Sequence, residues 1–188
     1  MNHLILKKLY SSKKLERKST ISSLLKKNEI DFIIDEFNLG ANFYTIIPGL
    51  DPKCLILSAH WDGPGAFDNA ASVYLLIKLI KKLRGILLPY KIWICFFDCE
   101  EIGQMGSKSF INRILPRKIN DYNKLLGHLE LDGCGIGNSL LLMKNITHLK
   151  LGIQNTFFKF PIKTDGYIFI KKNIQSIRIF IFLLNYTE

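Results

Sequence analysis

Residues 54–60 read Cys-Leu-Ile-Leu-Ser-Ala-His, and this stretch decides the fold class. Up to Ala59 its side chains are apolar or small at both odd and even positions, which predicts a strand buried on both faces, as in a parallel or mixed sheet. Residues 91–97, Lys-Ile-Trp-Ile-Cys-Phe-Phe, form a second run of this kind. Between the two runs, apolar residues recur at helical spacing over 69–84 and predict a helix that packs on the sheet.

The rest of the chain extends this pattern. Because the predicted strands alternate with helices, we expect a layered α/β domain whose sheet lies between helices. The further predicted elements are a helix over 12–28, strands over 31–37 and 42–47, a short helix over 106–114, a strand over 125–131, and strand, helix and strand over 138–143, 147–158 and 174–184.

Length and composition indicate one folded domain over residues 1–188. Apolar residues make up 48% of the chain and charged residues 22%, a balance that excludes disordered and collagen-like classes. The four cysteines form no CxxC pair and predict reduced thiols. No apolar run reaches the roughly 18–20 residues of a membrane span, and none near the start resembles a signal peptide. We therefore expect a cytoplasmic protein that does not contact the membrane.

Positive charge is concentrated at the beginning of the chain. The formal net charge is +10, and residues 1–28 hold eight Lys or Arg and a single Glu. A nucleic-acid-binding arm is one interpretation, and the solvated face of a helix is the other. No aromatic ladder or zinc-finger spacing accompanies the charge, so the second is favoured and we expect no nucleic-acid partner.

Polar residues with metal-binding groups lie at one edge of the predicted sheet. His60 directly follows the strand over 54–59, Glu100 and Glu101 follow the strand ending at 97, and Asp132 follows the strand over 125–131. Asp68 stands at the start of the helix over 69–84. Ligands of open α/β sheets bind outside the carboxyl ends of the strands. One imidazole and several carboxylates suit Zn²⁺, with Mn²⁺ or Co²⁺ as alternatives.

Each of these residues also has a purely structural interpretation. Asp68 before a helix is an ordinary N-cap, and Asp132 followed by Gly133 is a common turn. Glu100 and Glu101 fit a solvated loop. The occurrence of all of them at one sheet edge favours the metal site.

Four motifs, in order, resemble the zinc-dependent aminopeptidase family with co-catalytic metals, of the bacterial leucyl aminopeptidase type. Glutaminyl cyclases share the fold of that family. The similarity runs from about Ile46 to Asp132 and more weakly to the end of the chain. The motifs are His60-Trp61-Asp62, residues 65–72 (Gly-Ala-Phe-Asp-Asn-Ala-Ala-Ser), residues 96–103 (Phe-Phe-Asp-Cys-Glu-Glu-Ile-Gly) and Gly106-Ser107.

The resemblance implies a phosphorylase/hydrolase-like fold, a three-layer α/β/α sandwich with a mixed, mostly parallel sheet. It also implies a metallopeptidase that hydrolyses peptides or small aminoacyl substrates at a free amino terminus with one or two zinc ions. His60 and Asp132 would bind one ion and Glu101 the other. Asp68 would bridge the two.

The resemblance further implies two catalytic roles. Glu100 would be the general base that takes a proton from the water activated by the metal, and then the acid that protonates the leaving amine. Asp62 would orient the imidazole of His60 and raise its basicity.

The chain departs from the family pattern in two places. The last metal ligand of the family is a His beyond the final core strand, whereas the only His after Asp132 is His148. Relatives often carry Ser-Asp-His where this chain has Thr164-Asp165-Gly166. His128 lies four residues before Asp132 on one strand, about 13 Å away, and is a poor replacement. Three interpretations stay open: a chain lacking its C-terminal end, a one-metal hydrolase, and a catalytically impaired homologue.

Overall fold

The computed structural model describes residues 14–63, 69–119, 121–135, 139–144, 156–158 and 163–182. Within these ranges eight strands form one mixed sheet in the order β1-β2-β4-β3-β5-β8-β6-β7. The strands are β1 (Ile33–Phe37), β2 (Gly40–Ile47), β3 (Asp51–His60), β4 (Tyr90–Phe97), β5 (Leu125–Leu131), β6 (Ser139–Lys144), β7 (Thr156–Phe158) and β8 (Ser176–Phe182). The helices are α1 (Lys14–Lys27), α2 (Ala70–Leu83), α3 (Met105–Ser109), α4 (Leu115–Lys118) and α5 (Asp165–Ile170).

The centre of the sheet is parallel. Strand β3 runs parallel to β4 on one side and to β5 on the other, and β5 is parallel to β8. Antiparallel pairs flank this centre, with β2 against β4 and β6 against β8. The carboxyl ends of β4, β3 and β5 therefore meet at one edge, where His60 pairs in register with Phe97.

Helices cover both faces of the sheet. Along β4, Ile94 and Phe96 belong to a core cluster that includes side chains of α1 and α2. The alternate residues Cys95 and Phe97 belong to a second cluster with Phe110 and with residues of α5. Because neighbouring side chains of a strand point to opposite faces, the two clusters lie on opposite sides of the sheet. The predicted three-layer sandwich is confirmed.

The later part of the chain differs from the sequence prediction. Thr156–Phe158 is a strand, whereas a helix was expected over 147–158; residues 147–155 lie outside the described ranges. The run Thr-Phe-Phe is β-branched and aromatic, and it pairs in parallel with Leu141–Met143 of β6. Helix α5 was not predicted, because six residues are too few to show a helical period.

The helical part of the segment between β4 and β5 is longer than predicted. Helix α3 continues through a π-helical turn, Phe110–Ile114, into α4, so the helical segment ends at Lys118 rather than near 114. A 3₁₀ turn, Tyr122–Lys124, then leads into β5.

None of the helices in the described ranges combines the length and the apolar character that crossing a membrane requires.

His128 is enclosed in the face of the sheet that α5 covers. Its Nε2 lies 2.7 Å from the Ser58 hydroxyl and its Nδ1 lies 2.8 Å from the Ser176 hydroxyl. The ring also stacks on Phe169, with 3.8 Å between ring centroids. Burial lowers the pKa of His128 to about 3, so the imidazole is neutral.

We predict that this imidazole makes the fold sensitive to acid. The folded-state pKa of His128 lies below its ordinary value of 6.5, so its contribution to stability is present above pH 6.5 and is lost as the pH falls towards about 3. The loss should be on the order of a few kcal/mol. Urea unfolding at a series of pH values measures it, with His128→Asn as the comparison. Equal pH slopes for the two proteins would contradict the prediction.

Candidate metal centre

The imidazole of His60 lies between two carboxylates at the edge where β3, β4 and β5 end. Its Nδ1 is 3.3 Å from Asp62 Oδ1, and its Nε2 is 3.5 Å from Asp132 Oδ1. All three residues are buried. An imidazole held on one nitrogen by a carboxylate presents its other nitrogen to a ligand, as metal-binding histidines do.

Asp62 joins this imidazole to the turn after β4. One oxygen accepts the backbone N–H of Glu100 at 3.1 Å, and the other accepts that of Glu101 at 3.2 Å. Burial would raise the pKa of Asp62, but the hydrogen bond and charge of His60, together with these two N–H groups, outweigh it and lower the pKa. Asp62 is therefore an ionised carboxylate that fixes both sides of the site.

The turn that carries Glu100 and Glu101 is built on a buried aspartate. Asp98 accepts the N–H of Ala41 at 3.0 Å and that of Cys99 at 2.8 Å. Cys99 then adopts a left-handed conformation, with φ of 59°. This conformation turns the chain back towards the end of β3, so the backbone of both glutamates meets Asp62.

Both glutamates come close to His60. His60, Glu100 and Glu101 each have an atom of a type that can bind a metal, and these three atoms all lie within 4.8 Å of one another. Glu101 is exposed, whereas Glu100 is half-buried. Burial, the main cause, raises the pKa of Glu100 to about 7, and the charges of Asp132 and Glu101 act in the same direction.

The two carboxylate oxygens of Asp132 differ in their hydrogen bonding. Arg178 of β8 donates to Oδ2. Oδ1 is buried, faces His60, and receives no hydrogen bond from any residue in the described ranges. A buried carboxylate oxygen without a donor is costly unless a cation binds it. The His60 and Asp132 pair therefore fits a metal ion.

Two further acidic residues in this region, Glu130 and Asp165, are also buried. Glu130 accepts a hydrogen bond from the Thr164 hydroxyl at 2.7 Å, and burial raises its pKa to about 7. Burial and the charge of Glu130 raise the pKa of Asp165 well above its ordinary value. Gly166 lies against this pair: a Cβ there would be 2.7 Å from the Ser176 hydroxyl and 2.9 Å from a carboxylate oxygen of Glu130.

The structure thus brings together five of the six residues singled out in the sequence: His60, Asp62, Glu100, Glu101 and Asp132. The sixth, Asp68, lies outside the described ranges. The neighbouring Asn69 donates from Nδ2 to the backbone oxygen of Leu131 at 3.1 Å, so the start of α2 is tied to the end of β5 beside Asp132.

Three residues of this region were missed by sequence reasoning. Arg178 and Glu130 each place a charged group in a largely apolar strand, and that interruption is the signal that points to them. Asp165 was noted only as part of a departure from the family pattern. An acidic group that is fully buried at the start of a short helix leaves no trace in the sequence period.

A sequence model described as Peptidase family M28 matches residues 42–186 of the chain. Among curated proteins, none matches this sequence. The family match includes all six candidate site residues and excludes α1.

Several solved structures share the fold. A zinc aminopeptidase from Bacillus subtilis is 17% identical with a TM-score of 0.64, over 75% of this chain and 40% of that one. The LapA aminopeptidase of Legionella pneumophila is 13% identical with a TM-score of 0.68, over 87% and 50%. A glutaminyl cyclase from Macrostomum lignano is 16% identical with a TM-score of 0.75, over 99% and 79%. The chain thus spans half or less of the length of the two aminopeptidases.

We predict that Asp62→Asn weakens metal binding by about 10- to 100-fold, because the amide orients the imidazole less well and removes a negative charge. Competition with a chromophoric chelator measures the zinc dissociation constant. Asp35→Asn is the matched control, since Asp35 is also buried and its hydrogen bonds come from Asn42 and Arg113, neither of which is a candidate site residue. Equal zinc affinities for the two variants would contradict the role given to Asp62.

Proposed function

The chain belongs to peptidase family M28, and on that premise we propose that it is a metal-dependent hydrolase of the aminopeptidase type. It would cleave the peptide bond next to a free amino terminus with zinc as its cofactor. The observation that carries the proposal is the arrangement of His60 and Asp132, in which a buried oxygen without a donor faces an imidazole nitrogen. Zinc aminopeptidases among the structures that share the fold support it.

The residues that would hold the cation are His60 and Asp132, with Glu101 beside them and Asp68 from the predicted motif. Mn²⁺ or Co²⁺ would suit the same donors. When bound, such an ion polarises a carbonyl group and lowers the pKa of a water molecule to about 7. With Asp68, an ion at His60 and Asp132 would have three protein ligands, the usual number for catalytic zinc, and so we propose that one ion there suffices for hydrolysis, whether or not a second ion binds near Glu101.

Glu100 is the residue we assign as general base. Its carboxylate lies close to His60, is half-buried, and has a pKa near neutrality. A base of this pKa accepts a proton from water at physiological pH and then returns it to a leaving amine. Asp62 holds the backbone N–H groups of both glutamates, which keeps the base and the ligand on one rigid turn.

A second candidate function is cyclisation of an amino-terminal residue. The observation that favours it is the extent of the likeness to the glutaminyl cyclase, which covers 99% of this chain and 79% of that one. A panel of aminoacyl chromogenic substrates and a peptide with amino-terminal glutamine, each with added Zn²⁺, Mn²⁺ or Co²⁺, separates the two activities. Absence of both, with the metal bound, would support the catalytically impaired homologue suggested by the missing His.

A cytoplasmic location stays a prediction. All four cysteines are buried and none of them forms a disulfide. Reduced thiols of this kind are typical of a reducing compartment.

We predict that Glu100→Gln lowers kcat by at least about 100-fold while zinc is retained, because the amide cannot accept a proton. The matched variant Glu101→Gln should instead lower the affinity for zinc. Steady-state kinetics together with metal analysis of the purified proteins measure both effects. Loss of zinc in Glu100→Gln, with zinc retained in Glu101→Gln, would reverse the two assignments.

We also predict that kcat/KM falls as the pH is lowered. Glu100 acts as a base only when it is ionised, and burial places its pKa at about 7. A bound cation stabilises the ionised form, so the acid limb should lie at or below pH 7. A profile of kcat/KM measured between about pH 5 and 8 gives the limb. A rate that rises towards acid pH would contradict Glu100 as the base.

A further inference from the structure

We propose that Arg17 of helix α1 is a positioning residue for the candidate metal centre. It holds the backbone directly after β3, which carries His60 and Asp62. This inference rests on the proposed function. Arg17 lies outside residues 42–186, the part of the chain that the family model matches.

The contact itself is a buried cation on two carbonyl groups. Nη1 of Arg17 donates to the backbone oxygen of Trp61 at 3.0 Å and also to that of Gly63. Arg17 is only 7% exposed. The two carbonyls belong to the residues directly before and after Asp62, so the guanidinium holds the backbone on both sides of the residue that orients His60.

Helix α1 is anchored so that Arg17 stays in this position. Ile21, Leu24 and Leu25 of the same helix are buried in the core cluster shared with α2. They follow Arg17 by four, seven and eight residues, which is the spacing of one helix face. Arg17 therefore extends the buried stripe towards the site, whereas Lys26 and Lys27 are exposed on the solvated face.

Side-chain contacts other than those of Arg17 also hold the segment after β3. Asp62 accepts the N–H groups of Glu100 and Glu101, and the indole N–H of Trp61 donates to the backbone oxygen of Ala41 at 3.1 Å. Arg17 supplies the contacts to the carbonyl groups, which these bonds leave open. Without it, the carbonyl groups of Trp61 and Gly63 would lose this donor, and Asp62, on a less firmly held backbone, would bind the amides of Glu100 and Glu101 less tightly.

Electrostatics favour a cation at this position. Burial lowers the pKa of Arg17, while the charges of Asp62 and Asp98 act in the opposite direction. Asp98 supports the glutamate turn and Asp62 joins that turn to His60, so Arg17 faces the two acids on which the shape of the site depends. An arginine remains charged even when buried, unlike a lysine.

The test compares Arg17→Met with Lys18→Met. Both variants remove one positive charge from α1, but the side chain of Lys18 forms its ion pair and hydrogen bond with Glu36, whereas Arg17 donates to the carbonyl groups of Trp61 and Gly63. The first readout is hydrogen exchange of the Glu100 and Glu101 amides in the metal-free protein. The second is the zinc dissociation constant from chelator competition.

For Arg17→Met we expect exchange at both glutamate amides to be faster by about fivefold or more, the change that loss of one buried hydrogen bond produces. The amides of Ile94 and Phe96, in the centre of β4, should change less, which separates local loosening from global destabilisation. Zinc affinity should fall by about tenfold. Lys18→Met should match the wild-type protein in every readout.

The proposal is overturned if Arg17→Met and Lys18→Met exchange equally fast at Glu100 and Glu101, or if the amides of β4 accelerate as much as those of the turn. A wild-type protein that binds no zinc would reject the proposed function, whereas the exchange comparison would still decide the role of Arg17. If Arg17→Met does not fold, Arg17→Lys takes its place. We then expect a smaller acceleration of exchange at the Glu100 and Glu101 amides. The absence of any acceleration would overturn the proposal.

Discussion

The hydrogen bonds of Asp62 are the contact on which the rest of the site depends. The parallel centre of the sheet brings the ends of β3 and β4 to the same edge, but this fixes neither the imidazole nor the turn that carries the glutamates. Asp62 does both, because its oxygens accept the N–H groups of Glu100 and Glu101 while one of them faces His60. The proposed proton acceptor Glu100 and the proposed metal ligand His60 are thereby held by one carboxylate.

Charge is the second constraint on this part of the molecule. Asp132, Glu130 and Asp165 are buried close together; Arg178 forms an ion pair with Asp132, and its charge also acts on Glu130. Such a group is stable when some carboxyls stay protonated, and the raised pKa values of Glu130 and Asp165 reflect this. The remaining negative charge faces the side where His60 and Asp132 meet, which is the electrostatic reason that a divalent cation fits there.

The centre of the fold was predictable from the sequence because its strands are apolar on both faces. Strand β5 was predicted with the observed ends, and the helix over 69–84 became α2 with its ends shifted by a single residue. The proximity of His60, Glu100, Glu101 and Asp132 was predictable because they follow parallel strands, whose carboxyl ends meet. By contrast, the contacts of Arg17 and Arg178 depend on how long side chains pack after the sheet has formed. Helix α5 and β7 are too short for a period to identify them.

Gly166 is enclosed by side chains that lie next to the candidate site. The Ser176 hydroxyl and a carboxylate oxygen of Glu130 occupy the space that any side chain at position 166 would need, and Thr164 ties that oxygen in place. A side chain at position 166 therefore requires the Ser176 hydroxyl and the Glu130 carboxylate to turn away, and for Glu130 that movement breaks its hydrogen bond with Thr164.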